Sequence, residues 1–223
     1  RKAYRLLRAR SHHAAGRYRL KEAIFELGPT GYPFEKFIGA LLAWQGYHVE
    51  TGIVVQGNCV QHEVDVVATG NNETIMVECK FHSDQGRKSD VKVPLYIHSR
   101  FLDIHAHMNN ESGNGNMRFK GWIVTNSRFT EDAIRYGKCA GLTMISWDYP
   151  AEGSLKRRID LAGLFPITCL HTLTRNEKKI LLEQDIVLCR EIFQNNDLLN
   201  KTNIPPQKWP KILNEINEMF QES

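Results

Sequence analysis

Three strand-like runs in immediate succession, residues 47–55, 60–69 and 74–82, constrain this chain more than any other feature of its sequence. They are rich in β-branched and aromatic side chains, and the breaks between them, Gln56-Gly57-Asn58 and Gly70-Asn71-Asn72, have the chemistry of tight turns. Connections that short force neighbouring strands to run antiparallel, so the stretch predicts a meander. A helix pattern precedes it, with Phe34, Phe37, Ile38, Leu41 and Leu42 on one face between Pro33 and Gly46. The period then changes: a helix over 91–108, a loop rich in Asn, Gly and Ser over 109–116, a strand over 118–125, a helix capped by Thr130 and closed by Gly141, and a strand over 142–147. Three meandering strands followed by helix-linked ones predict an α/β fold with a mixed β-sheet flanked by helices.

Beyond Pro150 the pattern is wholly helical, opened by a capping box at Thr174-Arg175-Asn176-Glu177. The expected division is a basic helical linker or domain end at 1–27, the α/β domain at 28–150 and a helical region at 151–223. Eight basic residues and no acid fall in residues 1–21, leaving 21 basic against 25 acidic side chains in the remainder. The bulk of the chain is therefore no basic sponge, and a polyanion would be gripped by local patches. Five cysteines without a CxxC pair exclude a disulfide scaffold and fit a reducing, cytoplasmic setting. No apolar run of about 18 residues is present, so no membrane span is expected.

The chemistry is concentrated in His62-Glu63-Val64-Asp65-Val66-Val67 and Glu78-Cys79-Lys80-Phe81-His82. Strand alternation puts Glu63 and Asp65 on one face with Val64 and Val66 on the other, and groups Glu78, Lys80 and His82. The turn at 70–72 sets Asp65 beside Glu78, so two carboxylates and an ammonium converge. Taken alone, a Glu-x-Lys triplet reads as a surface ion pair. Here it lies on a strand of buried-type residues, thirteen positions after an acid. Like charges so close raise one another's pKa unless a cation stands between them, and hard oxygen donors suit Mg²⁺ or Mn²⁺ better than zinc.

Asp65 followed by Glu78-Cys79-Lys80 resembles the signature of the restriction-endonuclease-like, or PD-(D/E)xK, nuclease superfamily, and the order of elements is similar to its core. More narrowly, Trp44-Gln45-Gly46-Tyr47, the acid in Glu63-Val64-Asp65, Val77-Glu78-Cys79-Lys80 and the run 121–130 resemble the Mrr-like restriction endonucleases. Val64 stands where the superfamily's named motif has proline. The resemblance implies a restriction-endonuclease-like fold with a small C-terminal all-helical region, and a Mg²⁺- or Mn²⁺-dependent endonuclease acting on DNA. It implies Asp65 and Glu78 as metal ligands, the backbone carbonyl of Cys79 as a further ligand, Lys80 as the catalytic lysine and Glu35 as an acid near the metal. The stretch from Tyr4-Arg5-Leu6-Leu7-Arg8 to Ile24 resembles the end of an ATP-cone, a nucleotide-binding domain that would lie upstream of this chain.

Lys92, Tyr96 and Arg100 recur every fourth residue on one helical stripe and read as contacts to DNA. His62 and His82 flank the acidic cluster and are candidates to orient a phosphate. One such site cuts one strand, so a double-strand break calls for a homodimer or two successive events. The competing expectations are a non-catalytic DNA- or protein-binding module on the same fold, and a structure-specific repair or junction nuclease.

Overall fold

A computed structural model describes residues 12–111 and 118–221. They form two compact units: Phe34–Arg158, and a second that combines the described residues before Phe34 with those from Ile159 onward. The segment Tyr4 to Arg8 lies outside the described residues.

The first unit is built on the meander. β1 (His48–Gln56), β2 (Gln61–Gly70) and β3 (Glu73–Lys80) pair antiparallel in sequence order. Asn71 and Asn72, at φ +50° and +59°, make the turn into β3; asparagine tolerates this left-handed backbone better than most residues. After the short β4 (Lys88–Ser89) the chain crosses over to β5 (Arg118–Thr125), parallel to β3, and after β6 (Arg128–Phe129) it reaches β7 (Thr143–Ile145), parallel to β5. The main sheet therefore runs β1-β2-β3-β5-β7, while β4 and β6 pair separately. It is the mixed, helix-flanked sheet of the restriction-endonuclease-like fold.

Helices cover both faces. α2 (Tyr32–Trp44) approaches closely on one, since a Cβ on Gly39 would stand 3.2 Å from the Val49 and Thr51 side chains and 3.9 Å from Val66. On the other lie α3 (Lys92–Glu111) and α4 (Glu131–Cys139), whose Ile97, Phe101, Ile104 and Ala133 share a buried cluster with Val64, Val67, Met76, Ile123 and Met144. Thr130 caps α4 by accepting the Ala133 N–H at 3.3 Å.

The strict alternation expected of β2 does not survive. Val66 faces α2, but Val64, two residues away, belongs to the cluster under α3; likewise Thr51 faces α2 while Ile53 and Val55 pack with the α3 cluster. The sheet sides exchange at Gly52, whose φ of +62° turns the strand, and opposite it at Asp65. The β1–β2 register passes from Thr51↔Val66 to Ile53↔Val64 without a Gly52–Asp65 pair, and the β2–β3 ladder stops at Val66↔Val77. A local twist of this kind re-aims side chains where pairing ends.

The second unit is helical. After α5 (Leu155–Ala162), which crosses into this unit, α6 (Arg175–Glu183), α7 (Cys189–Gln194) and α8 (Trp209–Gln221) join α1 (His12–Phe25) in contributing buried Leu20, Ile24, Leu181, Ile192, Ile212 and Ile216. Buried polar groups tie the elements together. Lys178 donates to the Thr168 carbonyl at 2.6 Å and pairs with Glu26 at 2.9 Å, and Glu215 accepts the His171 and Thr172 amides at 2.8 and 2.9 Å. Leu20, Ala23 and Ile24 thus make the end of α1 part of the helical unit. Thr174 and Glu177 form the expected reciprocal capping box on α6.

Candidate active site

Asp65 stands where β2 leaves the ladder. Its Oδ2 accepts the backbone N–H of Cys79 at 2.6 Å, so a side chain takes over where strand pairing ends. Burial, then the nearby Glu78, pushes its carboxyl up to about 6, against the Cys79 amide, Lys80 and Arg100, which pull it down.

Glu78, on β3, lies only 5% exposed, with a cation on each oxygen. The Lys80 ammonium holds Oε1 at 2.5 Å and Arg100 Nη1 holds Oε2 at 2.6 Å. Two positive charges offset the cost of burying this carboxylate. Glu35, in the first turn of α2, is pushed up to about 7 by burial, then by Asp65, Glu63 and Glu78, with Lys80 opposing. Four acids from α2, β2 and β3 therefore lie within electrostatic reach of one another.

Whether these residues suit a divalent ion is a question of donor chemistry. The donors are hard carboxylate oxygens. The Cys79 thiol is buried and pushed well above its ordinary range by burial, then by Asp65 and Glu35, so it stays neutral and offers no soft thiolate. Glu35 and Asp65 hold protons too tightly for ordinary carboxylates, the condition a nearby divalent cation relieves. The residues fit Mg²⁺ or Mn²⁺. Among the described residues, however, no group of three or more His, Cys, Asp or Glu side chains forms a ready metal cage.

The flanking candidates separate. His62 does not join the acids: the exchange at Asp65 turns this end of the hairpin toward α3, where its Nε2 lies 2.8 Å from Asp103 Oδ2. Asp103 also accepts the amides of Cys59 and Val60, and these bonds, His62 first, hold its carboxyl down at about 2. His62 is part of a clamp on the β1–β2 turn. His82 falls beyond the end of β3, so strand alternation no longer aims its ring at Glu78; the ring nitrogen Nε2 lies 2.9 Å from Ser89 Oγ instead. Burial, then Arg87 and Lys80, lowers its pKa.

The helical stripe also divides. Lys92 is exposed and Tyr96 is 61% exposed. Arg100 turns inward, bonded to Glu78, to the Glu63 carbonyl at 3.1 Å and to the Tyr96 hydroxyl at 3.0 Å, with its guanidinium 4.9 Å from the Tyr96 ring centre.

Sequence reasoning missed the support beneath Lys80. Thr125 donates to the Lys80 carbonyl at 2.7 Å, and Asn126 both accepts the His82 N–H and donates to the His82 carbonyl, each at 2.8 Å. The available signal was the polar run Thr125-Asn126-Ser127 at the end of an apolar strand; all three residues are buried. Such bonds fix the exit of β3 at the carboxyl ends of its parallel strands.

The sheet and its flanking helices define the fold class as restriction-endonuclease-like. Over 184 residues the chain is 32% identical to an uncharacterized protein of Archaeoglobus fulgidus, covering 81% of this chain and 98% of that one. The crystal structure of a protein of unknown function, AF1548, superposes with a TM-score of 0.70 at 29% identity, over 87% of this chain and all of the other. Residues 165–220 match the family described as AF1548-like, C-terminal. The chain belongs to the AF1548-like family. A repair endonuclease from Pyrococcus abyssi shares 16% identity at a TM-score of 0.37, over 52% of this chain and 46% of that one, too slight a likeness to bear on function.

Proposed function

We propose that this protein is a Mg²⁺- or Mn²⁺-dependent DNA endonuclease of the Mrr-like kind. The observation that carries the reading is the meeting of Asp65 and Glu78 at the point where β2 and β3 part, with the Lys80 ammonium on Glu78. Asp65 and Glu78 would hold the ion, with the Cys79 carbonyl as a further ligand. The ion supplies Lewis acidity, making water a better nucleophile at neutral pH and offsetting charge on the phosphoryl oxygens.

The chain's own groups do the rest. Lys80 orients the attacking water and stabilises negative charge growing on the phosphoryl group. Glu35, within electrostatic reach of Asp65 and Glu78, accepts the proton that the water gives up. The water oxygen bonds to phosphorus as the bond to the 3′ oxygen breaks, and the departing oxygen takes a proton from solvent, leaving a 5′-phosphate and a 3′-hydroxyl. Lys92 and Tyr96 line the approach on α3 as contacts for the DNA backbone. Cutting both strands would take two copies, and the stretch from Tyr4 to Ile24 would be the end of an ATP-cone domain. Nicking or linearisation of plasmid DNA with Mg²⁺ or Mn²⁺, lost in Asp65→Ala and Lys80→Ala, tests the assignment; cleavage unchanged by both refutes it. A preference for branched over linear duplexes would redirect the reading to a junction or repair nuclease.

One observation favours a second reading. Both oxygens of Glu78 are already satisfied by cations of the chain itself, as in a DNA- or protein-binding module that has given up its metal. Calorimetric titration with Mn²⁺ separates the two, because such a module gives no binding that Glu78→Gln removes.

A further inference from the structure

We propose that Arg100 is the exchangeable counter-cation of Glu78: it neutralises the carboxylate before the divalent ion arrives and is released to the substrate phosphate when that ion binds. This rests on the metal-dependent reading above and deepens it with a substrate-binding residue outside the Asp65, Glu78, Lys80 set.

Glu78 is nearly sealed from water and already balanced by two monovalent cations at 2.5 and 2.6 Å. A divalent ion entering beside Asp65 would crowd four positive charges around one carboxylate, and repulsion at such distances in a poorly hydrated site is strong enough to expel one of them. The two residents are not equally placed to leave. Among the described residues the Lys80 ammonium has Glu78 as its one hydrogen-bond partner. Arg100 keeps the Glu63 carbonyl, the Tyr96 hydroxyl and the Tyr96 ring after letting go.

A second observation indicates where Arg100 goes. Its Nε is buried and donates to nothing. A buried donor without an acceptor is costly, and a guanidinium presenting a spare N–H beside a second N–H is the fork that grips phosphate oxygens in pairs. The missing acceptor has the chemistry of a phosphodiester. Binding the ion and seating the DNA backbone become a single exchange of partners, in which Arg100 trades one anion for another.

The test is calorimetric titration of the full chain with MnCl₂ alone, paired with DNA cleavage at saturating Mn²⁺. Arg100→Gln, which removes the competing charge, is expected to tighten Mn²⁺ binding about tenfold or more, yet to lower kcat for cleavage. Arg100→Lys retains a charge without the planar fork, so its Mn²⁺ affinity should stay within about threefold of the parent while cleavage still falls. Opposite movement of metal affinity and turnover in Arg100→Gln is the signature that a merely structural role does not give. If Arg100→Gln leaves Mn²⁺ binding unchanged or weaker while Glu78→Gln abolishes it, the exchange is refuted and the nuclease reading stands. If neither the parent nor Arg100→Gln binds Mn²⁺, both fall together.

Discussion

The elevated carboxyls of Asp65 and Glu35 make the stability of the metal-free protein depend on pH. Asp65 rises from 3.8 to about 6 and Glu35 from 4.5 to about 7. A raised carboxyl binds its proton in the folded state at a pH where the unfolded chain has lost it. The stability these two groups contribute is therefore greatest below about pH 4, declines as pH rises through 6 to 7, and is flat above. At about 1.4 kcal/mol per unit, the Asp65 shift converts to at most about 3 kcal/mol, and screening at a partly open site brings it nearer 2. Glu35, more open to solvent, is discounted to about 1 kcal/mol. Part of the Asp65 contribution is already lost below pH 5, so urea unfolding at pH 5, 6, 7 and 8 should show Glu35→Gln/Asp65→Asn gaining about 1–2 kcal/mol on the parent between pH 5 and 8. His82, whose lowered pKa works in the opposite direction, cancels in this difference. Added Mn²⁺ should stabilise the parent most at pH 8 and the double variant hardly at all. Parallel pH profiles for the two proteins would refute the reasoning.

Three further outcomes follow from packing and hydrogen bonding. Gly121→Ala places a Cβ 2.5 Å from the Phe101 ring and 2.9 Å from Leu142, so thermal unfolding should report a loss of about 2–3 kcal/mol. Asn126→Ala strips two hydrogen bonds from the His82 backbone and should cost about 2–3 kcal/mol in urea unfolding, with faster amide exchange at His82. Thr174→Ala opens the box at the start of α6 for about 1 kcal/mol, measurable in the same unfolding assay.

Much of the frame was legible because it is local. The turns at 57–58 and 70–72, the apolar stripe of α2, the Thr130 and Thr174 caps and the parallel return of β5 follow from residues close in sequence. The Asp65, Glu78, Lys80 juxtaposition needed one more step, a hairpin register, and Asn71-Asn72 supplies a turn that fixes it. What could not be read depended on contacts across the fold. Gly52 gives no sign in sequence that it will exchange the two sheet sides, yet that exchange removes His62 from the acids and hands it to Asp103, 41 residues away. The end of β3 at Lys80 is set by Thr125 and Asn126 on a strand reached only after a helix, and it releases His82 from the site. Periodicity put Lys92, Tyr96 and Arg100 on one stripe, but a helix packed on a sheet face presents one end of a stripe to water and the other to a buried carboxylate. The amino-terminal segment was expected as a linker or the end of an upstream domain because its basic charge dominates; the buried Leu20, Ala23 and Ile24 of α1 are the apolar signal that this charge hides.

Anomalous diffraction from crystals soaked in Mn²⁺ would test the central claim most directly. A peak bridging the Asp65 and Glu78 carboxylates, gone in Glu78→Gln crystals, is the result predicted here. Crystals with no peak at those carboxylates, or with Mn²⁺ bound only elsewhere, would contradict it.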